Sequence, residues 1–433
     1  MARTPSTPQP SFPRKRESRD VACHGKTSMD SRLRGNDEQR QSPSPLDDCC
    51  KDKWLTTTLG GLITLQRGFD ITKAAQSNGV YPVVSSSGIT SFHDRHMAKG
   101  PGVVIGRKGT LGTAFFIRGD FWPHDTTLWV KDFKGNDEEF IYYLLKSIPL
   151  ERLDSGSANP TLNRNYAHLL RIAAPIPAVQ KKIAYVLFTL DAKIDLNNRI
   201  NAELEALAKT IYDYWFVQFD FPDANGRPYK SSGGKMVWNE VLKREIPAGW
   251  TDGVLTDIAN ITMGQSPAGD SYNEEGHGVV FFQGSTDFGT RSPDVRMYTT
   301  APGRMAREGD VLVSVRAPVG TLNIADRACC IGRGLAALNS KNGSGGYLYR
   351  VMADFKQIFD RRSSEGTTFG SITKGDLFGL KVLIPDTRTL QSHARMANEW
   401  IRSSALRDKE NRELTRLRDW LLPLLMNGQV RVA

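Results

Sequence analysis

The chain has 433 residues, 39% of them hydrophobic and 24% charged, with 57 Lys/Arg against 47 Asp/Glu and a formal net charge of +10. That composition is ordinary for a globular protein and excludes low-complexity, collagen-like and membrane-spanning classes, since no apolar run reaches the length a span needs. Five cysteines in two adjacent pairs and a singleton make no disulfide or zinc framework and fit a reducing cytosol. The basic surplus favours a polyanionic partner, because Lys and Arg near phosphates release condensed counterions.

Residues 1–51 are rich in Ser, Pro and Arg and poor in large apolar side chains. Such a stretch cannot bury enough surface to offset its ordering entropy and reads as a disordered extension. Its PRKRESRD and DSRLRGNDE strings look like a translated repeat element upstream of the true start.

The remainder repeats one plan twice. Trp54 to Gly68 parallels Trp250 to Gly264. An apolar run ending in Arg107 parallels one ending in Arg316, each followed by a Gly-Thr, Gly109-Thr110 and Gly320-Thr321. Ser155-Gly156-Ser157 parallels the stretch Ser364 to Thr367, and strands closed by proline end at Pro177 and Pro385. The offset grows from 196 to about 210, which places extra loop residues of the second copy near 269–295. Each copy opens with short β-rich runs broken by Gly and Pro, the pattern of an irregular α+β domain. Each then carries a long helical pattern.

The first helix shows heptad spacing at Ile183, Leu187, Leu190, Ile194, Leu204, Ala208, Ile211 and Trp215, interrupted by Asn197 and Asn201; a buried Asn in such a seam fixes register and partner choice, the alternative being an exposed, solvated face. A helix of this length extends about 55 Å and needs a partner. The second, from about 388 to 426, offers one, although its phase breaks near Arg407–Asn411. The chain thus divides into 1–51, a first α+β domain 52–178, a central helix 179–216, a turn-rich connector 217–249, a second α+β domain 250–387 and a C-terminal helix 388–427. The fold class is α+β, with the two long helices packing as an antiparallel coiled coil.

Two stretches resemble the specificity subunits of type I restriction-modification systems. LFTLDAKIDLNNRINAELEALAKTIYDYWFVQFDFP (187–222) is similar to their central region, and NGRPYKSSGGKMVWNEVLKREIPAGW (225–250) to the connector before their second recognition domain. The Ile-Pro-x-x-x-Gln signature ahead of each helix is present in altered form, as Ile176-Pro177-Ala178-Val179-Gln180 and as Ile384-Pro385 with Gln391. The resemblance implies two target recognition domains on conserved spacer helices. They would read an asymmetric, bipartite double-stranded DNA sequence with an unread gap. It implies two methyltransferase subunits and two motor-nuclease subunits as partners. S-adenosylmethionine, ATP and Mg2+ would then belong to those partners, and this chain would hold no cofactor or metal and have no catalytic residues.

Bidentate Arg or Lys to guanine and Asn or Gln to adenine are the usual base readers. Polar, basic, Gly-containing loops at matched positions therefore nominate Arg107, Lys108, Thr110, Asn159, Asn163 and Arg164 in the first copy. In the second they nominate Ser314, Arg316, Arg333, the loop Arg361-Arg362 through Thr367, and Lys374. Phe281 and Phe282 read as core. For partner docking the spacer positions Asn197, Arg199, Asn201, Tyr214 and Trp215 stand out, with intramolecular packing an equal explanation for Trp215.

Enzymatic readings fare poorly. Asn159-Pro160-Thr161-Leu162 lacks the second Pro and the aromatic of an amino-methyltransferase motif, and no phosphate loop is present. Asp125 with Asp132-Phe133-Lys134 superficially resembles a metal-dependent nuclease site, and His93-x-x-His96 a metal pair. A self-contained endonuclease and a protein-only coiled-coil scaffold therefore stand as the alternatives to a DNA-reading subunit.

Overall fold

A computed structural model describes residues 54–72, 76, 79–153, 161–364 and 370–432, with the side chains of 361–364 excluded. The amino-terminal extension lies outside the described residues.

The repeated plan is real in three dimensions. Each domain is built on a four-stranded antiparallel sheet of the same order. In the first domain the order is Thr64–Arg67, Thr127–Asp132, Gly102–Gly106, Ala114–Ile117. In the second it is Ala259–Met263, Leu335–Ser340, Val311–Ser314, Leu322–Ile324. Strand periodicity sends alternate side chains to opposite faces. Val103 and Ile105 enter the core shared with the helices, whereas Val104 packs with Val84 and Phe121 beneath a smaller sheet. Val311 and Val313 make the same division from Leu312. Both faces are covered, which is why these strands read as continuous apolar runs rather than alternating ones. Phe281 and Phe282 are core, as the sequence indicates.

Where the first domain has the tight turn Ser86-Ser87 between strands Tyr81–Ser85 and Gly88–His93, the second has the long segment 283–296 between Val279–Phe282 and Met297–Thr299. Each domain is closed by a two-stranded antiparallel pair, Leu55–Thr58 with Arg171–Ala174 and Thr251–Val254 with Lys381–Ile384. That pairing delivers the chain directly into a long helix.

The central helix runs Pro177–Tyr212 and continues into a π-helical turn, Asp213–Val217. Proline opens it at a position where its missing N–H costs nothing. Gln180, 1% exposed, locks that end: its amide nitrogen donates to Pro175 O and Asn136 Oδ1 (both 2.8 Å), and its oxygen accepts from the Asp137 N–H (2.9 Å). The C-terminal helix, Thr387–Met426, is capped by Asp386, which accepts from the Thr389 N–H (3.0 Å) and from the Trp250 indole (2.9 Å).

The two helices pack antiparallel, since Asp191 meets Arg418 while Asn201 meets Ser404 and Asp408. One end joins the first domain's core through Ile183, Leu187, Leu422, Leu425 and Met426. The other joins the second domain's core through Tyr212, Trp215, Phe216 and Leu390. From Leu187 to Tyr212, at 1.5 Å per residue, these two apolar attachments lie about 40 Å apart along the rod.

The phase break near Arg407–Asn411 is a polar layer, not an end. Asn197 Nδ2 donates to Glu410 Oε2 and Asn411 Oδ1 (both 2.8 Å), and Asn201 Nδ2 to Asp408 Oδ1 (2.9 Å). Matching the helix starts puts Asn201 at the place of Asn411 and Asn198 at that of Asp408. The Asn201–Asp408 bond thus has a counterpart in Asn411 Nδ2 donating to Asn198 Oδ1 (2.9 Å). A polar layer in an apolar seam disfavours slipped registers, because slipping leaves buried amides unpaired.

Candidate nucleic-acid interface

In each domain a strand end of the four-stranded sheet and a short helix meet at one tip, and several backbone hydrogen bonds recur in both tips. The Gly68 N–H donates to Thr127 O as Gly264 does to Leu335 O. His124 N–H to Val84 O corresponds to Gly332 N–H to Phe282 O, and Leu162 N–H to Arg107 O corresponds to Ile372 N–H to Val315 O. Gly68 and Gly264 are required here by close approach. A Cβ on either would stand 2.1 Å from a backbone carbonyl oxygen, that of His124 or of Gly332.

This pattern corrects the register read from the sequence. Gly106 N–H donates to Thr113 O and Ser314 N–H to Thr321 O, so Gly112-Thr113, not Gly109-Thr110, matches Gly320-Thr321. Lys108, not Arg107, matches Arg316. Both sit in equivalent β-bridges, Lys108 with Thr161 and Arg316 with Ser371. These bridges bring the post-sheet loop to the strand end. Residues 161–162 thereby lie beside Arg107 and Lys108, and residues 371–372 beside Val315 and Arg316, with Asn163, Arg164 and Lys374 one to two residues further along the chain.

The short helices Arg164–His168 and Lys374–Phe378 open with a cation at their first position, Arg164 and Lys374, both exposed. Their caps are Asn163, whose Oδ1 accepts from the Asn165 N–H, and Thr373, whose Oγ1 accepts from the Asp376 N–H. Asn163 thus has a structural duty that the sequence did not show. Lys108, Thr110, Arg316 and Arg333 are exposed. Arg107 is half-buried: its Nη1 donates to Asp125 O (3.2 Å), and its pKa is lowered by desolvation and by the neighbouring Arg67, against the pull of Asp125.

The remaining nominations are placed differently. Ser314 is 1% exposed, donates to Pro318 O and accepts from the Thr321 N–H, so it holds the strand end and faces no ligand. Arg361 and Arg362 are not in a loop but in the helix Gly345–Ser364. Asn159, Thr367 and the Ser155–Ser157 stretch lie outside the described residues. Among the spacer positions, Asn197 and Asn201 are spent on the polar layer and face the sister helix, not a partner. Trp215 is core, beside Phe216 and His393, with Tyr214 packed against the same cluster. Arg199 alone of the five is exposed.

The tips add residues the sequence reading passed over. Arg67 Nη2 bonds Asp125 Oδ2 (2.8 Å) at the first tip. Gln283 and Ser266 bond each other at the second, and a glutamine amide is suited to adenine. The signal available was the paired Gly68 and Gly264, whose flanking residues the close approach presents at the tip.

No nuclease centre is assembled from Asp125, Asp132 and Lys134. Asp125 precedes the strand Thr127–Asp132 and Asp132 ends it, which separates them by about 20 Å. Lys134 is held in the far turn, its backbone N–H on Asp132 and its ammonium on Gly60 O. Asp70, His124 and Asp125 do bring ligand-type atoms within 4.8 Å of one another, but Asp125 is engaged by Arg67 and His124. Two guanidiniums beside it disfavour a cation. His93 ends a strand and His96 follows in a loop, each against its own aromatic, Trp122 and Tyr81, so they form no helical pair. Among the described residues no helix is long and apolar enough to cross a membrane.

Comparison with known proteins agrees with this geometry. The family described as the type I restriction modification DNA specificity domain matches residues 51–206. The chain is 30% identical over 305 residues to the type I restriction enzyme MjaX specificity subunit of Methanocaldococcus jannaschii, covering 68% of each protein. It is 26% identical over 320 residues to the MjaIX specificity subunit of the same organism, covering 69% of this chain and 70% of that one. The crystal structure of the S subunit of a type I restriction-modification system from M. genitalium shares the fold with a TM-score of 0.62 at 17% identity, over 87% of this chain and 97% of that one. The repeated domains, the antiparallel helices and these relatives together establish that the chain belongs to the specificity subunits of type I restriction-modification systems, the non-catalytic subunits of those enzymes.

Proposed function

We propose that this chain reads an asymmetric, bipartite double-stranded DNA sequence, one half with each tip, and leaves the intervening base pairs unread. The observation that carries the reading is the pair of matched tips, each presenting exposed cations at equivalent places (Lys108 and Arg164; Arg316 and Lys374), on two domains whose cores join opposite ends of one rod. The attachments lie about 40 Å apart along the rod, a length comparable to about 12 base pairs of B-DNA at 3.4 Å each, which suits two short half-sites with a gap between them. The tip sequences differ, which makes the two half-sites different.

Methylation and cleavage would be carried out by partner subunits, with S-adenosylmethionine, ATP and Mg2+ bound there. A pair of identical methyltransferase subunits is supported by a second regularity. Leu196 and Leu207 on the central helix and Leu406 and Leu417 on the C-terminal helix occupy matched positions, and all four are exposed. Equivalent apolar positions on two pseudo-symmetric helices suit two copies of one partner. Two motor-nuclease subunits would join through them.

The test is genome-wide methylation sequencing in a clean host that expresses this chain with its cognate methyltransferase subunit. A gapped motif that disappears when this chain is omitted supports the reading, and exchanging residues 52–178 should alter one half of the motif only. Methylation that persists without the chain refutes it.

A further inference from the structure

The second domain is tied to the middle of the rod by contacts that have no counterpart among the described residues of the first. The long segment 283–296 carries Arg291 and Ser292 onto the helices. Arg291 Nη2 pairs with Glu205 Oε2 on the central helix at 2.8 Å. Arg412 of the C-terminal helix forks, Nη1 donating to Ser292 Oγ (2.9 Å) and Nη2 to Asp326 Oδ2 (2.7 Å). Asp326 is 11% exposed and also pairs with Arg327. Arg350, on the helix Gly345–Ser364, donates to the Glu205 backbone oxygen (2.8 Å). The same cations face the polar layer: Asp408, bonded by Asn201, lies in the field of Arg291 and Arg412.

Among the described residues the first domain shows no counterpart. At the positions matching Arg412 and Glu205 the other helix carries Ala202 and Thr415, and the segment matching 283–296 is a tight turn. Its own polar tie lies farther along the rod, where Tyr143 donates to Asp191 Oδ2 (2.7 Å) and Arg418 pairs with the same carboxylate.

We propose that Arg412 and Arg291 are positioning residues for sequence recognition, fixing where along and around the rod the second reader stands and so which gap length is accepted. One base pair added to the gap moves the second half-site by about 3.4 Å and turns it by about 35°. A domain held only by its apolar contact at the helix end could follow part of that movement by rocking. A domain pinned in addition at the mid-rod, through a fork whose two arms point to Ser292 and Asp326, cannot. The polar layer sets the register of the helices, and the brace converts that register into the position of a tip. This rests on the bipartite reading proposed above.

The experiment is methylation sequencing of the full chain with its methyltransferase subunit, scored by gap length. Wild type should methylate a single gap. The R291A/R412A double variant should methylate sites one base pair longer or shorter as well, with discrimination against them reduced by about tenfold, about 1.4 kcal/mol, and with both half-site sequences unchanged. Arg412→Lys, which keeps the charge and loses the fork, should fall between. If the double variant keeps a single gap at wild-type efficiency, the brace does not set spacing. Loss of the second half-site sequence, with the first intact, would mean that these residues hold the domain's fold and not its position, and also overturns the proposal. A wild type that yields no gapped motif would instead fail the bipartite reading itself.

Discussion

His393 offers a quantitative test of how the second domain is seated on the rod. It is 0% exposed, packs against Phe216 at 4.9 Å and Trp215 at 5.8 Å between ring centroids, and among the described residues neither ring nitrogen has a hydrogen-bond partner. Desolvation without compensation disfavours the imidazolium, and the pKa falls from 6.5 to about 4. The sign follows from linkage. The unfolded state binds the proton more readily, so the stability contributed by the neutral ring is complete above about pH 6.5 and is lost as pH falls toward 4. Over pH 7.5 to 5 the loss is about 2 kcal/mol, at 1.36 kcal/mol per unit between the two pKa values. Carboxylates titrate over the same range, so the comparison needs a variant. Ile183 occupies the matched position of the central helix and is buried, which makes His393→Ile the natural replacement. Denaturant unfolding at pH 7.5 and pH 5 should show wild type losing about 2 kcal/mol more than His393→Ile, with the variant at least as stable at pH 7.5. Equal losses in the two proteins would refute the claim that a neutral imidazole is sealed in this core.

Three further outcomes are expected. Arg164→Ala and Lys374→Ala should each weaken DNA binding and lower the slope of log K against log salt by about 1, as removal of one phosphate contact does; fluorescence anisotropy over a salt series measures this, and an unchanged slope would place those cations off the DNA. Gly68→Ala should remove recognition of one half-site and Gly264→Ala that of the other, because each new Cβ meets backbone 2.1 Å away; methylation sequencing that shows both motifs intact would mean that the tips tolerate the shift. Asp132→Ala should leave restriction by the assembled complex unchanged in a phage plating assay, and loss of restriction would reopen the nuclease reading.

The sequence by itself determined the repeat, the α+β character and the two long helices, because those rest on local signals. Apolar periodicity, paired Gly and Pro positions and the Trp-to-Gly spacing survive in one dimension. It also marked Arg164, Arg316 and Lys374, which the fold gathers at the tips. What it could not supply was anything that depends on which residues meet across long separations. Asn197 and Asn201 read both as a register-setting break in the seam and as a partner surface, and only Asp408, Glu410 and Asn411 opposite them decided for the seam; the apparent phase break of the second helix was the other half of the same layer. Ser314 looked like a base reader until its hydroxyl was found closing the strand end, and Arg107 looked equivalent to Arg316 until hydrogen bonding shifted the register by one. Asp125 and Asp132, close in sequence, were parted because a strand extends what a short motif seems to hold together. Local propensity is written residue by residue, but register, burial and the pairing of polar groups are settled only when distant segments pack.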